Sequence, residues 1–261
     1  MSVDVGGRSD MPRWDLDREP DGVQDADLHE QLVDMVLAVH GSETPERAVA
    51  AIAHHACLVV QAETCGLLIA AGPGHHDAGG PASGALPLAL ELELGEGPGS
   101  SAARGEGELF IVRDTTIDRR WPHWSTRCAG LGMRSVLSVR LQTPDRVLGS
   151  LSAYSPAPSA FSEFEAQAIG TFAFHAAVGL AAKVESATLV AALASRTIIG
   201  QAQGLLMSLD GVDPAAAFAQ LREMSQAENV KLAVIAQRVV AERGRPAVFS
   251  TGRPDVVTPQ D

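Results

Sequence analysis

The sequence predicts an α+β sheet domain, a long connecting helix and a C-terminal three-helix bundle. Three observations lead there: two helical stripes precede five short apolar runs, a capping signal opens 46 residues without proline, and two further helix starts follow. With 261 residues, two modest domains are expected rather than one large one.

Residues 1–27 hold eight acids and three bases with no apolar periodicity, and read as a disordered acidic N-terminus. Order is expected to begin near Leu28, where Leu28, Leu32, Met35, Val36 and Val39 form one helical stripe closed by Gly41. Thr44 before Pro45 reads as an N-cap with proline at N1, opening a helix through Ala48, Ile52, Ala56 and Val59. The period then shortens. CGLLIAAG, PLALELELG, GELFIVRD, MRSVLSVRLQ and VLGSLSAYS are bounded by Gly, Pro or Asp, as strands are. In this reading Glu91, Glu93 and Glu96 lie on the solvent side of a strand. The segment GPGHHDAGGPASG reads as an exposed hairpin connection carrying solvated His75 and His76.

Ser162 and Glu165 make a capping box for a helix over 162–208, longer than a compact domain needs. A connecting helix that pairs with a copy of itself is expected, its alanines permitting close approach. Asp213 and Pro214 open a further helix carrying Ala217, Phe218, Leu221 and Met224. Asn229 is expected to cap a third, with Leu232, Ile235, Ala236, Val239 and Val240 inward. Residues 244–261 read as a disordered tail.

Twenty basic against 32 acidic residues exclude a general electrostatic attraction to nucleic acid, so any such contact is local. Cys57, Cys65 and Cys128 form no CxxC pair, and no apolar leader or span-length apolar run occurs. A cytoplasmic protein with no membrane partner is expected. His54 and Cys57 share a helix face near His55 and Cys65, but no fourth ligand stands at zinc-like spacing, so no metal is assigned. With no G-x-S-x-G, H-E-x-x-H or Walker A motif, no catalytic residue is assigned and no enzyme expected. GEGPGSSAA lacks the Lys-Ser/Thr ending of a phosphate loop and reads as a structural turn.

At about 100° per residue, Ile198, Ile199, Ala202, Leu205, Leu206 and Leu209 share one arc. Arg196, Thr197, Gly200, Gln201, Gln203, Gly204, Met207 and Ser208 lie opposite. Two glycines inside a helix cost about 1 kcal/mol each against alanine, so something is expected to approach that backbone: another helix, or nucleic acid.

The run LVAALASRTIIGQAQGLLMSLDGVDPAAAFAQLREMSQAENVKLAVIAQRVV, over about 185–243, resembles an ANTAR domain, the RNA-binding output module of bacterial antitermination regulators. The resemblance implies binding of paired RNA hairpins by a homodimer. Carried over by position, Ile199, Ala202, Phe218, Leu221, Leu232 and Ala236 pack, whereas Arg196, Gln201, Gln203, Arg222, Ser225, Gln226, Asn229 and Lys231 can reach phosphates or loop bases. Many members carry Lys where this chain has Gln203, and the region holds five bases against six acids. Two alternatives stand: a dimerisation or protein-interaction module without RNA binding, and a DNA-binding helix-turn-helix offering Lys231, Gln237 and Arg238.

Residues 28–182 resemble a GAF domain, through GEGP before a short helix, the Asp114 turn with DRRWP, the LGSLSAYS strand and the closing helix after Phe161. Members bind varied small molecules or serve in dimerisation. The resemblance implies a cavity lined by Gly99, Ser100 and Ser101 with Trp121 and Trp124 as walls, holding no certain cofactor but an unidentified small molecule. Together the resemblances imply a signal-responsive RNA-binding regulator of gene expression, acting by transcription antitermination or leader-RNA remodelling. A small-molecule signal or an upstream signalling protein would act on the GAF-like part.

Overall fold

The computed structural model describes residues 24–70, 76–79 and 82–243, in two compact units divided after Val184. In the first, helices α1 (Gln24–Gly41) and α2 (Pro45–Val59) precede strands β1 (Thr64–Ala70) and β2 (His76–Gly79). Helices α3 (Ala82–Leu94) and α4 (Pro98–Ala103), strand β3 (Leu109–Val112) and helix α5 (Pro122–Gly130) follow, then strands β4 (Ser135–Gln142) and β5 (Val147–Ser155). Helix α6 (Glu163–Asp210) begins in the first unit, and α7 (Pro214–Glu228) and α8 (Leu232–Arg243) complete the second.

Local signals place most of these elements. Thr44 accepts from the Arg47 amide at 3.4 Å, with Pro45 at N1. Ser162 accepts from the Phe164 amide at 3.1 Å while Glu165 accepts from the Ser162 amide at 2.8 Å, the reciprocal capping expected. Asp213 accepts from the Ala216 amide at 2.8 Å.

Several expectations need correction. Helix α1 starts at Gln24, inside the segment read as disordered; residues 1–23, His75 and the tail beyond Arg243 lie outside the described residues. The run PLALELELG is helix α3 and not a strand. Its leucines fit period 2, but Leu, Ala and Glu are strong helix formers, Ala and Glu are depleted in strands, and burial falls on Pro87, Leu88 and Glu91 at helical spacing. The fifth strand comes instead from the expected hairpin connection: β2, which carries His76, pairs antiparallel with β1. Asn229 does not open α8; it closes α7 in the left-handed conformation, φ 52° and ψ 41°.

The sheet has the order β2-β1-β5-β4-β3 with antiparallel neighbours. Its two faces are covered by different helices. One carries Leu67, Leu137, Val139, Leu141, Leu151 and Ala153 against α1, α2 and the start of α6, whose Phe172, Ala173, Ala176 and Leu180 are buried. The other carries Leu68, Val136 and Tyr154 against Leu88, Trp121, Trp124 and Cys128 from α3 and α5. Central strand β5 is therefore buried from Gly149 to Ser155, and its Ser150, Ser152 and Tyr154 share the second face by their period of two.

In the second unit a separate small core joins Ala202 and Leu206 of α6, Ala217 and Leu221 of α7, and Ile235, Ala236 and Val239 of α8.

Candidate functional site

The second unit presents a polar arc built by helical geometry. With Ala202 and Leu206 turned inward, Arg196, Gly200, Gly204 and Met207 fall on the opposite side of α6 and are exposed. An added Cβ would meet nothing within 4 Å at either glycine, so none of the described residues packs there. Leu189 and Leu193 continue the same line towards the N-terminus and are exposed, Leu193 by 63%. Gln201 lies about 140° around from Arg196, also exposed. Gln203 sits at the edge of the core, half-buried, its amide donating to the Pro214 carbonyl at 3.3 Å. Leu209, expected inward, is 58% exposed because α6 ends at Asp210 and Gly211 turns the chain away at φ +67°.

On α7 the hydroxyl of Ser225 donates to the Val230 carbonyl at 2.6 Å and is half-buried, so it already serves the α7–α8 turn. Arg222, Gln226, Asn229 and Lys231 are exposed. Phe218, expected to pack, is 40% exposed: it is turned about 100° from buried Ala217 and stands one helical turn from Arg222. The pair Phe218 and Arg222 offers an aromatic face beside a guanidinium, a combination that residue-by-residue sorting into apolar and polar overlooks. Arg238 is paired with Glu228 at 2.5 Å.

In the first unit the residues expected to line a cavity are brought together and buried. Gly99, Ser100 and Ser101 start α4 beneath β5, and Trp121 donates from Nε1 to Ser101 Oγ at 3.1 Å. Trp121 and Trp124 pack edge to face with ring centres 6.3 Å apart. What sequence reasoning misplaced is Glu91. Instead of facing solvent from a strand it is fully buried, its Oε2 accepting from the Ser100 amide at 2.5 Å. Burial pushes its carboxyl up to about 7 against the pull of the Ser100 and Gly99 amides. Burial, reinforced by Glu91 nearby, pushes the Cys128 thiol up to about 12 and raises the Tyr154 phenol. Ser138 and Ser152 hydroxyls share a hydrogen bond of 2.8 Å in the same interior.

A GAF domain model matches residues 44–180, and an ANTAR domain model matches residues 187–240. The chain is a GAF–ANTAR protein. Both modules are regulatory rather than catalytic in kind, and ANTAR domains are the RNA-binding part of antitermination regulators. The GAF–ANTAR chain is similar to the GAF domain of a phosphoenolpyruvate-protein phosphotransferase from Coxiella burnetii, 19% identical, over 64% of this chain and 98% of that one, with TM-score 0.48. It is similar to the bacteriophytochrome RpBphP3 from R. palustris, 13% identical, over 74% of this chain and 43% of that one, with TM-score 0.50. It is also similar to the Stigmatella aurantiaca phytochrome photosensory core module, 9% identical, over 80% and 46%, with TM-score 0.54. At such identities the likeness concerns the fold alone. No curated protein sequence matches the chain.

Two further features of the GAF part bear on chemistry. An open groove of about 610 Å³ is lined by Ile111, Arg113, Asp114, Ile117, Asp118, Arg119 and Arg120. Asp114 of that lining is gripped by the Arg134 guanidinium through contacts of 3.0 and 2.6 Å, which hold its carboxyl well below the usual range. Among the described residues no group of three or more His, Cys, Asp or Glu side chains is disposed to hold a metal, and His55 is hydrogen-bonded to Gln31 at 2.9 Å.

Proposed function

We propose that this GAF–ANTAR protein is a cytoplasmic, non-enzymatic, signal-responsive RNA-binding regulator, acting by transcription antitermination or leader-RNA remodelling. The observation that carries the reading is the exposed surface of the ANTAR helices: Phe218 and Arg222 on α7, with Gln226, Asn229 and Lys231 at the turn into α8. An aromatic ring stacks on a splayed base while guanidinium and ammonium groups meet phosphates, the chemistry of loop recognition. Gln201 extends the contact along α6, whereas Arg196 lies about 140° away, beside the line of Gly200 and Gly204. Gln203 and Ser225, committed to backbone carbonyls, support the surface in this reading more than they touch RNA.

The protein acts as a homodimer. Leu189, Leu193, Gly200 and Gly204 form one exposed line on α6, with none of the described residues against its glycines, which suits a second copy of that helix. In the GAF part Val33, Val36 and Leu37 of α1 and Phe174 and Val178 of α6 are likewise exposed. Helix α6 is long and apolar enough to cross a membrane by composition, with mean hydropathy 1.5 over its best window and 17% of that window buried. A second copy would cover this apolar surface. A signal acts by favouring one of two dimer arrangements, which only a differential affinity can do.

The experiment is a gel-shift with a paired-hairpin RNA and with duplex DNA of equal length. Retarded RNA and free DNA are expected, with the RNA shift lost in Arg222→Ala/Lys231→Ala. A protein that sediments as a dimer yet retards neither nucleic acid would replace this reading with a dimerisation module. Retarded DNA would favour a helix-turn-helix.

A further inference from the structure

The interior between α3, α4 and the sheet contains more buried polar atoms than partners. Glu91 Oε2 is bound to the Ser100 amide, but Oε1 has no hydrogen-bond partner among the described residues. Ser125 Oγ, Ser150 Oγ and Tyr154 OH, buried in the same unit, also lack partners. The carboxyl lies hard against glycine backbone: a Cβ on Gly97 would come 2.4 Å from Glu91 Cγ, and one on Gly99 3.1 Å from Oε2 and 3.2 Å from Ser150 Oγ. Those two glycines make the room that Glu91 occupies.

Among the described residues no cation is paired with it. Arg104, at the end of α4, acts on Glu91 only through space, its guanidinium being bound to Glu106 at 2.7 Å. Arg140 on β4 is spent on the Ala102 and Gly107 carbonyls at 3.1 and 2.7 Å. Cys128 of α5 and Tyr154 of β5 are kept protonated by burial, Glu93 further along α3 is paired outside with Arg127 at 2.6 Å, and β1 contributes Leu68 to this side. An unpaired buried carboxyl gains on protonation, since charge is lost from a dry interior.

We propose that Glu91 makes the GAF part a proton sensor, the carboxylate taking up one proton at Oε1 and thereby loosening its hold on the amide of Ser100. This names the signal for the regulator proposed above and rests on that reading for its output. The reporters are built in. Trp121 is bonded to Ser101 of α4, while Trp124 donates from Nε1 to the Pro87 carbonyl of α3 at 3.2 Å and from its amide to Glu96 at 2.7 Å. The Trp121 indole is therefore tied to the helix that carries Ser100, and the Trp124 indole to the helix that carries Glu91. The uptake favours one position of α4 over another, and the tryptophans move with it.

The test is a fluorescence titration of the full-length Trp14→Phe variant, which leaves Trp121 and Trp124, from about pH 5.5 to 8.5. One sigmoid transition is expected, absent from the same protein with Glu91→Gln and retained with Glu93→Gln. Difference infrared spectra of the chain without the Glu91 change should gain a carboxylic acid carbonyl band through the same interval. A flat titration, a transition that survives Glu91→Gln, or a missing carbonyl band would each overturn the proposal. RNA affinity should differ at least about threefold between the ends of the interval, and not in Glu91→Gln; equal RNA affinities at both ends with the fluorescence transition present would overturn the sensing role. Failure to bind RNA at either end would instead overturn the RNA reading, while the fluorescence and infrared results decide protonation independently.

Discussion

The Ser100 amide nitrogen lies 2.5 Å from Glu91 Oε2, so the first turn of the six-residue helix α4 is closed by a buried carboxylate from α3. Its own N-cap, Gly97, offers no side-chain bond. A short helix with no cap of its own borrows one from nine residues upstream.

Burial of that carboxyl gives stability a definite dependence on pH. The Glu91 carboxyl moves from an ordinary value of 4.5 to about 7 on folding, so the folded state holds the proton more tightly. The fold is therefore favoured below about pH 4.5, loses stability as pH rises towards 7, and is level above that. A gap of this size corresponds to about 3 kcal/mol at most. Thermal melts at pH 5 and 8 should show the wild-type protein less stable at 8, and Glu91→Gln should erase most of that difference. Asp114 works in the opposite sense in a separate window: Arg134 lowers its carboxyl, so its contribution is present above the ordinary value of 3.8 and is lost as pH falls further.

Gly149 tolerates no side chain. Its φ is +149°, and a Cβ there would stand 1.7 Å from the Leu68 carbonyl oxygen, in the paired strands β1 and β5. Backbone cannot yield as a flexible side chain can, so Gly149→Ala should cost at least about 3 kcal/mol. Urea unfolding monitored by far-ultraviolet circular dichroism should move its midpoint accordingly.

The glycines of α6 should behave in the opposite way. Nothing lies within 4 Å of a Cβ at Gly200 or Gly204, so alanine at each should add about 1 kcal/mol of helix stability within one protomer. If a second α6 packs there, Gly200→Ala/Gly204→Ala should weaken dimerisation while raising the helicity of the monomer. Sedimentation across a concentration series measures the first effect and circular dichroism the second.

Asn229 separates a structural role from a contact role. Its φ of 52° suits glycine equally well, so Asn229→Gly should leave stability within about 0.5 kcal/mol while removing the side chain from the turn proposed to contact RNA. A several-fold loss of hairpin affinity is expected with an unchanged melting temperature. Ser225→Ala, by contrast, removes the bond to the Val230 carbonyl and should cost about 1 kcal/mol of stability.

Much of this protein was legible before any tertiary contact was known. Thr44 with Pro45, Ser162 with Glu165 and Asp213 with Pro214 each mark a helix start that the structure contains, and the long proline-free run is indeed one helix. The candidate cavity residues Gly99, Ser100, Ser101, Trp121 and Trp124 do converge. Glu91 was not legible. In PLALELELG the alternation that suggests a strand with glutamates outward is equally the surface of a helix, and the difference lies in what α4 and β5 place opposite. Phe218 was misread for a related reason: an apolar residue on a short helix is inward only if its angular position meets another helix.

Caps, turns and apolar periods act between residues a few positions apart, so the order of amino acids alone decided where most of the helices begin and which strands exist in the sheet's middle. Burial is a property of the sum of distant neighbours. Only the packed chain could decide that an acidic side chain goes inside, that Asn229 ends one helix instead of starting the next, and that the glycines of α6 stay clear of the other described residues.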